Sequence, residues 1–350
     1  MANAAETPRR DERPYSLERL ESFDDLRSEW DELAQAAANP FQTLAWVEGW
    51  FHHVQFQQRL TLFACRRADA SLGAILPLTI TGGRYVRKLR FLGFGAANEL
   101  GPICAPSDLP SAVDALRRAL LETRQERDVF LGDYLPGHDW TKSLDAQRLT
   151  TTPNPIVEIK WSSWDDCLTS RSGHFRQTFR RGERLAAKSG ISTRVIVDEE
   201  DVPSALDNLF ALHRARWGPD ATPWFAGMEP FHREFATWAF RKKMLRLLVV
   251  ELGERPLAIS YGFRIGGMEW LYGLGRDVTV DRHSPGLIAM AQHIRDAIDD
   301  GLRVVRLGPG AQRYKLAFAT GDAALETVGI ARGLLGRASL SVWKHRLAAR

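Results

Sequence analysis

Cysteine is scarce: Cys65, Cys104 and Cys167 are the three in 350 residues. They are odd in number, far apart and in no C-x-x-C pair, which excludes a disulfide framework and a zinc ribbon and leaves them as small buried hydrophobes. No apolar run approaches the ~20 residues of a membrane-spanning helix. The opening MANAAETPRRDERP has charge but no apolar stretch behind it, so residues 1–14 read as a disordered tail and a cytoplasmic location is expected. The nine histidines include adjacent His52 and His53 but no H-x-x-x-H or H-E-x-x-H, so no metal is expected. There is no G-x-S-x-G elbow and no Walker loop, and Gly93-x-Gly95 lacks the third glycine of a dinucleotide loop. It reads as a pair of glycines at a hairpin end.

What the chain has is enough apolar residue, 44%, for two ordinary cores. The net charge of +4 favours anionic ligands without demanding nucleic acid. Arg176, Arg180, Arg184 and Lys188 recur every fourth residue and would line one face of a helix. Such a face is either solvated or a place for carrier phosphates or a nucleotide-linked acceptor.

Residues 257–315 are the most informative stretch. Leu257, Ile259, Tyr261, Phe263 and Ile265 alternate with Ala258, Ser260, Gly262 and Arg264, a strand with one bulky and one small face. The next strand carries Trp270, Tyr272 and Leu274, broken by Gly273 and Gly275, where a bulge or a close backbone approach is expected. Ser284-Pro285-Gly286 then reads as an N-cap and helix start, followed by an apolar stripe through Leu287, Met290, Ala291, Ile294 and Ile298. The N–H groups of such a helix start suit a pyrophosphate.

The same run occurs twice. Strands near 60–66, 72–80 and 86–93, a helix from Pro110 to about Glu126 and a strand at Val129–Leu131 match strands near 244–251, 256–265 and 268–275, the helix from Ser284 and a strand at Val304-Val305. Helices are expected near 162–187 and 201–242. The fold class is therefore mixed α/β with two lobes, each a mixed, mostly antiparallel sheet flanked by helices. We expect lobes at 15–155 and 156–333, joined near Thr150–Pro155, and a basic C-terminal helix at 334–350 packed on the second lobe.

LHRARWG at 212–218, Asp277-x6-Ser284-Pro285-Gly286, Ala297 to Gly301 leading into a strand, and Tyr314-Lys315 together resemble the GNAT acyltransferase superfamily, in particular its FemAB-like and CelD-like branch of exopolysaccharide and cellulose clusters. FQTLAWVEGW at 41–50, ILPLTI at 75–80, RFLG at 90–93 and HFRQTFRRGERLAAKSG at 174–190 fit more loosely. Two departures stand out. Arg306 occupies a strand position where members commonly carry an acid, and Gly286 alone survives of the usual pyrophosphate-loop pattern.

The resemblance implies transfer of an acyl group from acetyl-CoA, another acyl-CoA or an acyl-carrier thioester to an amine or hydroxyl, with an amino sugar or polysaccharide precursor as acceptor and an acyl carrier protein as a further partner. It implies that Gly273, Leu274 and Gly275 pair with the carrier arm and that Ser284, Pro285, Gly286 and Leu287 face its phosphates. Tyr314 would be the acid for the thiolate, and Lys315 a ligand for an acceptor phosphate or carboxylate. Asp277, Asp281 and Glu269 compete for general base. Arg176, Arg180, Arg184 and Arg306 would serve the acceptor or a phosphate. The first lobe would support the acceptor side, with Trp224-Phe225 as a lid. The rival readings are a FemAB-type transferase using charged tRNA, the one route to a nucleic-acid partner, and an inactive interaction protein touching a membrane surface through its C-terminal helix.

Overall fold

The structure is a computed structural model that describes residues 15–218 and 225–348. The tail expected at 1–14 and the lid residue Trp224 lie outside the described residues. In the first half, β1 (Ser16–Leu20), β2 (Gln58–Arg66), β3 (Leu72–Thr81), β4 (Lys88–Phe91), β5 (Ile103–Cys104), β6 (Val129–Pro136) and β7 (Gln147–Thr152) build one sheet. The chain crosses over at residues 153–154. It then builds a second sheet from β8 (Pro155–Glu158), β9 (Ile191–Val195), β10 (Leu245–Leu252), β11 (Arg255–Ile265), β12 (Met268–Arg276), β13 (Val304–Arg306) and β14 (Gly321–Asp322). In both sheets an antiparallel run is followed by a helix and a parallel strand, β4 beside β6 and β12 beside β13. The internal duplication is real.

One strand breaks the expected division. β15 (Leu325–Ala331) returns to the first sheet and inserts antiparallel between β6 and β7, so the second lobe does not run to residue 333. A bulge between Thr327 and Val328 shifts its register, and Leu325 and Val328 are both buried there.

The helices are α1 (Arg27–Ala37), α2 (Leu44–His53), α3 (Leu109–Glu122), α4 (Trp140–Ser143), α5 (Trp164–Thr169), α6 (Gly173–Lys188), α7 (Val202–Trp217), α8 (Glu229–Arg241), α9 (Pro285–Asp299), α10 (Arg313–Leu316) and α11 (Gly333–Ala348). The long helical stretches expected at 162–187 and 201–242 are each two helices. Ser172 caps α6 through Phe175 N, and Gly218 at φ 81° ends α7 where only glycine is comfortable. α11 packs on β6, β7 and β15, so it covers the first sheet and not the second lobe. Leu340 is buried there, against Val129 and Leu131, while Phe130 points to the opposite face.

One core joins the lobes. Phe41 and Trp46 of the first half stack edge-on against Phe263, Trp270 and Tyr272 of the second. α7 and α8 cover the bulky face of β11, with Tyr261 and Phe263 fully buried. On the small face Ala258 lets Ala289 of α9 approach. All three cysteines are free and buried.

Candidate active site

The site begins where the second sheet stops pairing. β12 and β13 run parallel from Met268↔Val304 to Trp270↔Arg306 and then part. Beyond that point Leu307 N donates to Pro155 O at 3.0 Å and Gly310 N to Pro153 O at 2.8 Å, so the chain follows β8, while β12 continues along β11. A cleft of about 440 Å³ opens between them.

The bulge expected on β12 is present. Tyr261 pairs with Gly273 and Gly262 with Leu271, leaving Tyr272 as the extra residue. The glycines fix how closely the walls approach. A Cβ on Gly273 would lie 2.8 Å from the Phe225 ring, and one on Gly275 would lie 2.6 Å from Leu209 O of α7. Gly275 therefore seats α7, and Gly273 and Leu274 line the cleft. Ser260, on the small face of β11, lines it as well.

Gly286 forms part of the cleft wall at the start of α9, where its Cβ would meet only Leu274 Cδ2, at 3.1 Å, and Arg276 Cδ, at 3.5 Å. Ser284 departs from the expected N-cap. It is left-handed (φ 50°, ψ 52°) rather than extended, and its side chain caps no helix N–H. Instead its carbonyl accepts from Leu287 N and Ile288 N. Ser284, Pro285 and Leu287 adjoin the cleft in sequence but do not line it.

These placements separate two glycines by consequence. Gly286→Leu meets flexible side chains and keeps an ordinary φ, so the variant should fold with little change in Tm yet lose affinity for an acyl-CoA, read by calorimetry. Gly275→Val meets backbone and should cost about 1–3 kcal/mol in denaturant unfolding.

Tyr314 and Lys315, on α10, close the far wall. Burial raises the Tyr314 phenol, with the Arg216 and Arg276 guanidinium groups pulling the other way, so the group stays protonated at neutral pH. Lys315 is buried at 8% exposure, and its Nζ donates to Gly308 O at 3.1 Å and Pro309 O at 2.9 Å. Burial pulls its ammonium down to about 8.

That depression has a sign. The folded chain releases the Lys315 proton near pH 8 and the unfolded chain near its ordinary 10.5, so the buried charge costs stability below pH 8 and the cost fades as pH rises between the two. Wild type should gain about 2 kcal/mol on Lys315→Met between pH 7.5 and 10 in paired denaturant titrations.

Several wall residues carry no periodic signal in the sequence. Gly95, Ala96 and Asn98 reach in from the first lobe, and Asn98 Nδ2 donates to Leu271 O at 3.3 Å. His213 and Arg216 come from α7. Burial, aided by Arg216 and Arg214, lowers His213 to about 4, so its imidazole is neutral at pH 7. Arg216 stacks on Trp217, 4.3 Å from the ring centroid. Among the described residues, no carboxylate lines the cleft.

The acids expected as bases lie elsewhere. Glu269 is fully buried behind the cleft, held by His293 and by Arg264 Nε at 2.8 Å. Asp277 pairs with Arg255 and caps Thr279 N at 2.8 Å, which holds its carboxyl below the ordinary range. Neither lines the cleft. The Asp281 side chain lies outside the described residues.

Arg306 does not line the cleft either. It pairs with Glu99 of the first lobe and lies 4.5 Å from the Trp270 ring centroid. Glu99 also accepts from Asn154 Nδ2 at 2.7 Å, and its burial raises its carboxyl. The acid commonly present on this strand in the resembling family is replaced by a base, and a carboxylate from the other lobe faces it.

Arg176, Arg180 and Arg184 lie on α6 outside the cleft. Arg176 caps Thr169 O at 2.8 Å, Arg180 approaches Asp165 at 3.6 Å, and Arg184 reaches Arg180 O at 3.2 Å. Among the described residues no group could hold a metal ion.

With this geometry in hand, comparison with known proteins is informative. Residues 173–316, which contain β12, α9, β13 and α10, match the family model described as an acetyltransferase (GNAT) domain. No curated protein matches the sequence. Among solved structures, FemX is similar at a TM-score of 0.62 and 12% identity, covering 93% of this chain and 100% of that one. The C-terminal domain of a putative lysylphosphatidylglycerol synthetase from Agrobacterium fabrum gives 0.56 and 12%, covering 93% and 96%. L-PGS from Bacillus licheniformis gives 0.55 and 9%, covering 91% and 97%. At these identities the likeness is one of fold.

Proposed function

We propose that this chain, which carries a GNAT acetyltransferase domain over residues 173–316, moves an acyl group from a thioester of CoA or a carrier onto an amine or hydroxyl within the cleft between β12 and β13. The observation that carries this reading is the splayed strand pair, with its bulge at Tyr272 and the Tyr314-Lys315 wall facing it across the opening.

In the step we assign, the acceptor nitrogen or oxygen attacks the carbonyl carbon, the C–S bond breaks and the thiolate takes a proton from the Tyr314 phenol. We assign the acceptor proton to the imidazole of His213, which is neutral at pH 7 and lines the cleft, where no described carboxylate does. Solvent then restores both groups, and no covalent enzyme intermediate is required. Lys315, charged below about pH 8 and holding carbonyl partners alone, gains most from an anion in the cleft. The acceptor we assign is accordingly an anionic amino sugar or polysaccharide precursor.

A second donor is favoured by one observation. The cations of α6 stand in solvent, and the helix packs against residues 278–283, which lead into α9 and the cleft. A charged tRNA would deliver its ester to the same carbonyl position with phosphates along α6. The deciding experiment measures free-thiol release from acyl-CoAs with a panel of amino sugars, beside transfer from aminoacyl-tRNA. Thiol release that depends on acceptor, and falls about 10²–10⁴-fold in His213→Gln, supports the thioester reading. Transfer from aminoacyl-tRNA alone would replace the donor, and transfer from neither would end the catalytic assignment.

A further inference from the structure

Four of the most exposed large apolar side chains lie on three segments that come together at the start of β6. Leu334 and Leu335 open α11 at 84% and 65% exposure, Tyr85 in the β3–β4 connection is 75% exposed, and Leu121 in the last turn of α3 is 69% exposed. These three segments meet around Asp128. Arg87 N donates to Asp128 Oδ2 at 2.8 Å, and Arg332 N donates to Asp128 O at 2.7 Å. Arg332 also reaches Arg124 O, just beyond α3, at 2.8 Å. Gly336 lets α11 lie against the same carbonyl, since a Cβ there would stand 2.5 Å from Asp128 O. On α11 the apolar residues that pack, Leu340, Trp343 and Leu347, face the sheet. Leu334, Leu335 and Val342 face solvent.

The surround is basic. From Thr327 to the last residue the sequence has no acid, and Arg332, Arg337, Lys344 and Arg346 lie exposed along and before α11. Arg84 and Arg124 are exposed in the two neighbouring segments. Of the acids nearby, Asp128 is paired with Arg87 and Glu126 with Arg19 and Arg59, leaving Glu122. The cations crowd one another: Arg124 and Arg332 add to the burial that depresses Arg127, and Arg90 and Arg346 do the same for Lys88. Exposed aliphatic leucines among exposed cations fit a surface that is apolar within and anionic at its boundary.

We propose that this end of the first lobe, formed by Tyr85, Leu121, Leu334 and Leu335 with the surrounding arginines, seats the protein peripherally on an anionic lipid bilayer. The leucines enter the headgroup boundary and the arginines meet lipid phosphates. RNA would use the charge but leave the aliphatic side chains in water. No helix among the described residues is long and apolar enough to cross a membrane.

The test is co-sedimentation of the full chain with vesicles of phosphatidylcholine, with and without phosphatidylglycerol. Binding should require phosphatidylglycerol and weaken as salt rises. Leu334→Asp and Leu335→Asp should each lower partitioning about tenfold with unchanged thermal unfolding, because both positions are exposed. Arg337→Glu with Arg346→Glu should lower it further. Absence of sedimentation with either vesicle overturns the proposal, as does full binding by the leucine variants. Tight binding of an RNA oligonucleotide without vesicle binding would assign the patch to nucleic acid and overturn it equally.

Discussion

Tyr314→Phe should lower turnover by about 10²–10⁴-fold while leaving affinity for the acyl donor nearly unchanged. The phenol lines the cleft, and burial keeps it protonated through neutral pH, the state in which it can supply a proton to a departing thiolate. Phenylalanine keeps the ring that packs against the core of the second lobe, so the fold should survive. The measurement is steady-state thiol release together with donor binding by calorimetry. A loss confined to kcat marks an interaction made in the transition state; an equal loss of donor affinity would make Tyr314 a packing residue, and full activity would remove it from the chemistry.

Opening the Glu99–Arg306 pair should cost about 3–5 kcal/mol of stability. Glu99 is 3% exposed, and both partners are held, Glu99 by Asn154 and Arg306 against Trp270. Removing Arg306 leaves a buried carboxylate whose pKa burial already raises. The sign follows: above its raised pKa Glu99 is charged and unpaired in Arg306→Leu, and acidification lets it take up a proton and recovers part of the loss. Urea unfolding at pH 5 and 7 should therefore show the smaller deficit at pH 5. Arg306→Asp, which brings back the acid common on this strand in similar chains, should be worse than Arg306→Leu, because it sets two carboxylates against each other between the lobes. The double variant Glu99→Gln/Arg306→Leu should recover much of the loss.

What could be read from sequence follows from what local pattern encodes. The alternation at 257–265 and 268–275 gave β11 and β12 within a residue or two, and the glycines that interrupt it marked the bulge and the seat of α7. Gly273, Leu274, Gly286, Tyr314 and Lys315 do converge on one cleft. The contacts that escaped are distant in the chain. Glu99 and Arg306 stand 207 residues apart, and no periodicity couples them. β15 is a short run whose partners lie far upstream, so nothing local tells which sheet it joins. His213 sat inside the LHRARWG segment, but a lone histidine on a helix reads as core until Gly275 is seen to draw α7 onto β12. Glu269 and Asp277 are candidates for base by their chemistry alone, and ion pairing holds both outside the cleft wall.

The account turns on where the donor lies, and a crystal structure of the complex with CoA measures that directly. It should place the thiol end between Tyr272-Gly273 and Tyr314, with the phosphates toward Gly286 at the start of α9. CoA bound instead in the open groove of the first lobe near Gly82, Gly83 and Arg87, with the β12–β13 cleft empty, would contradict it.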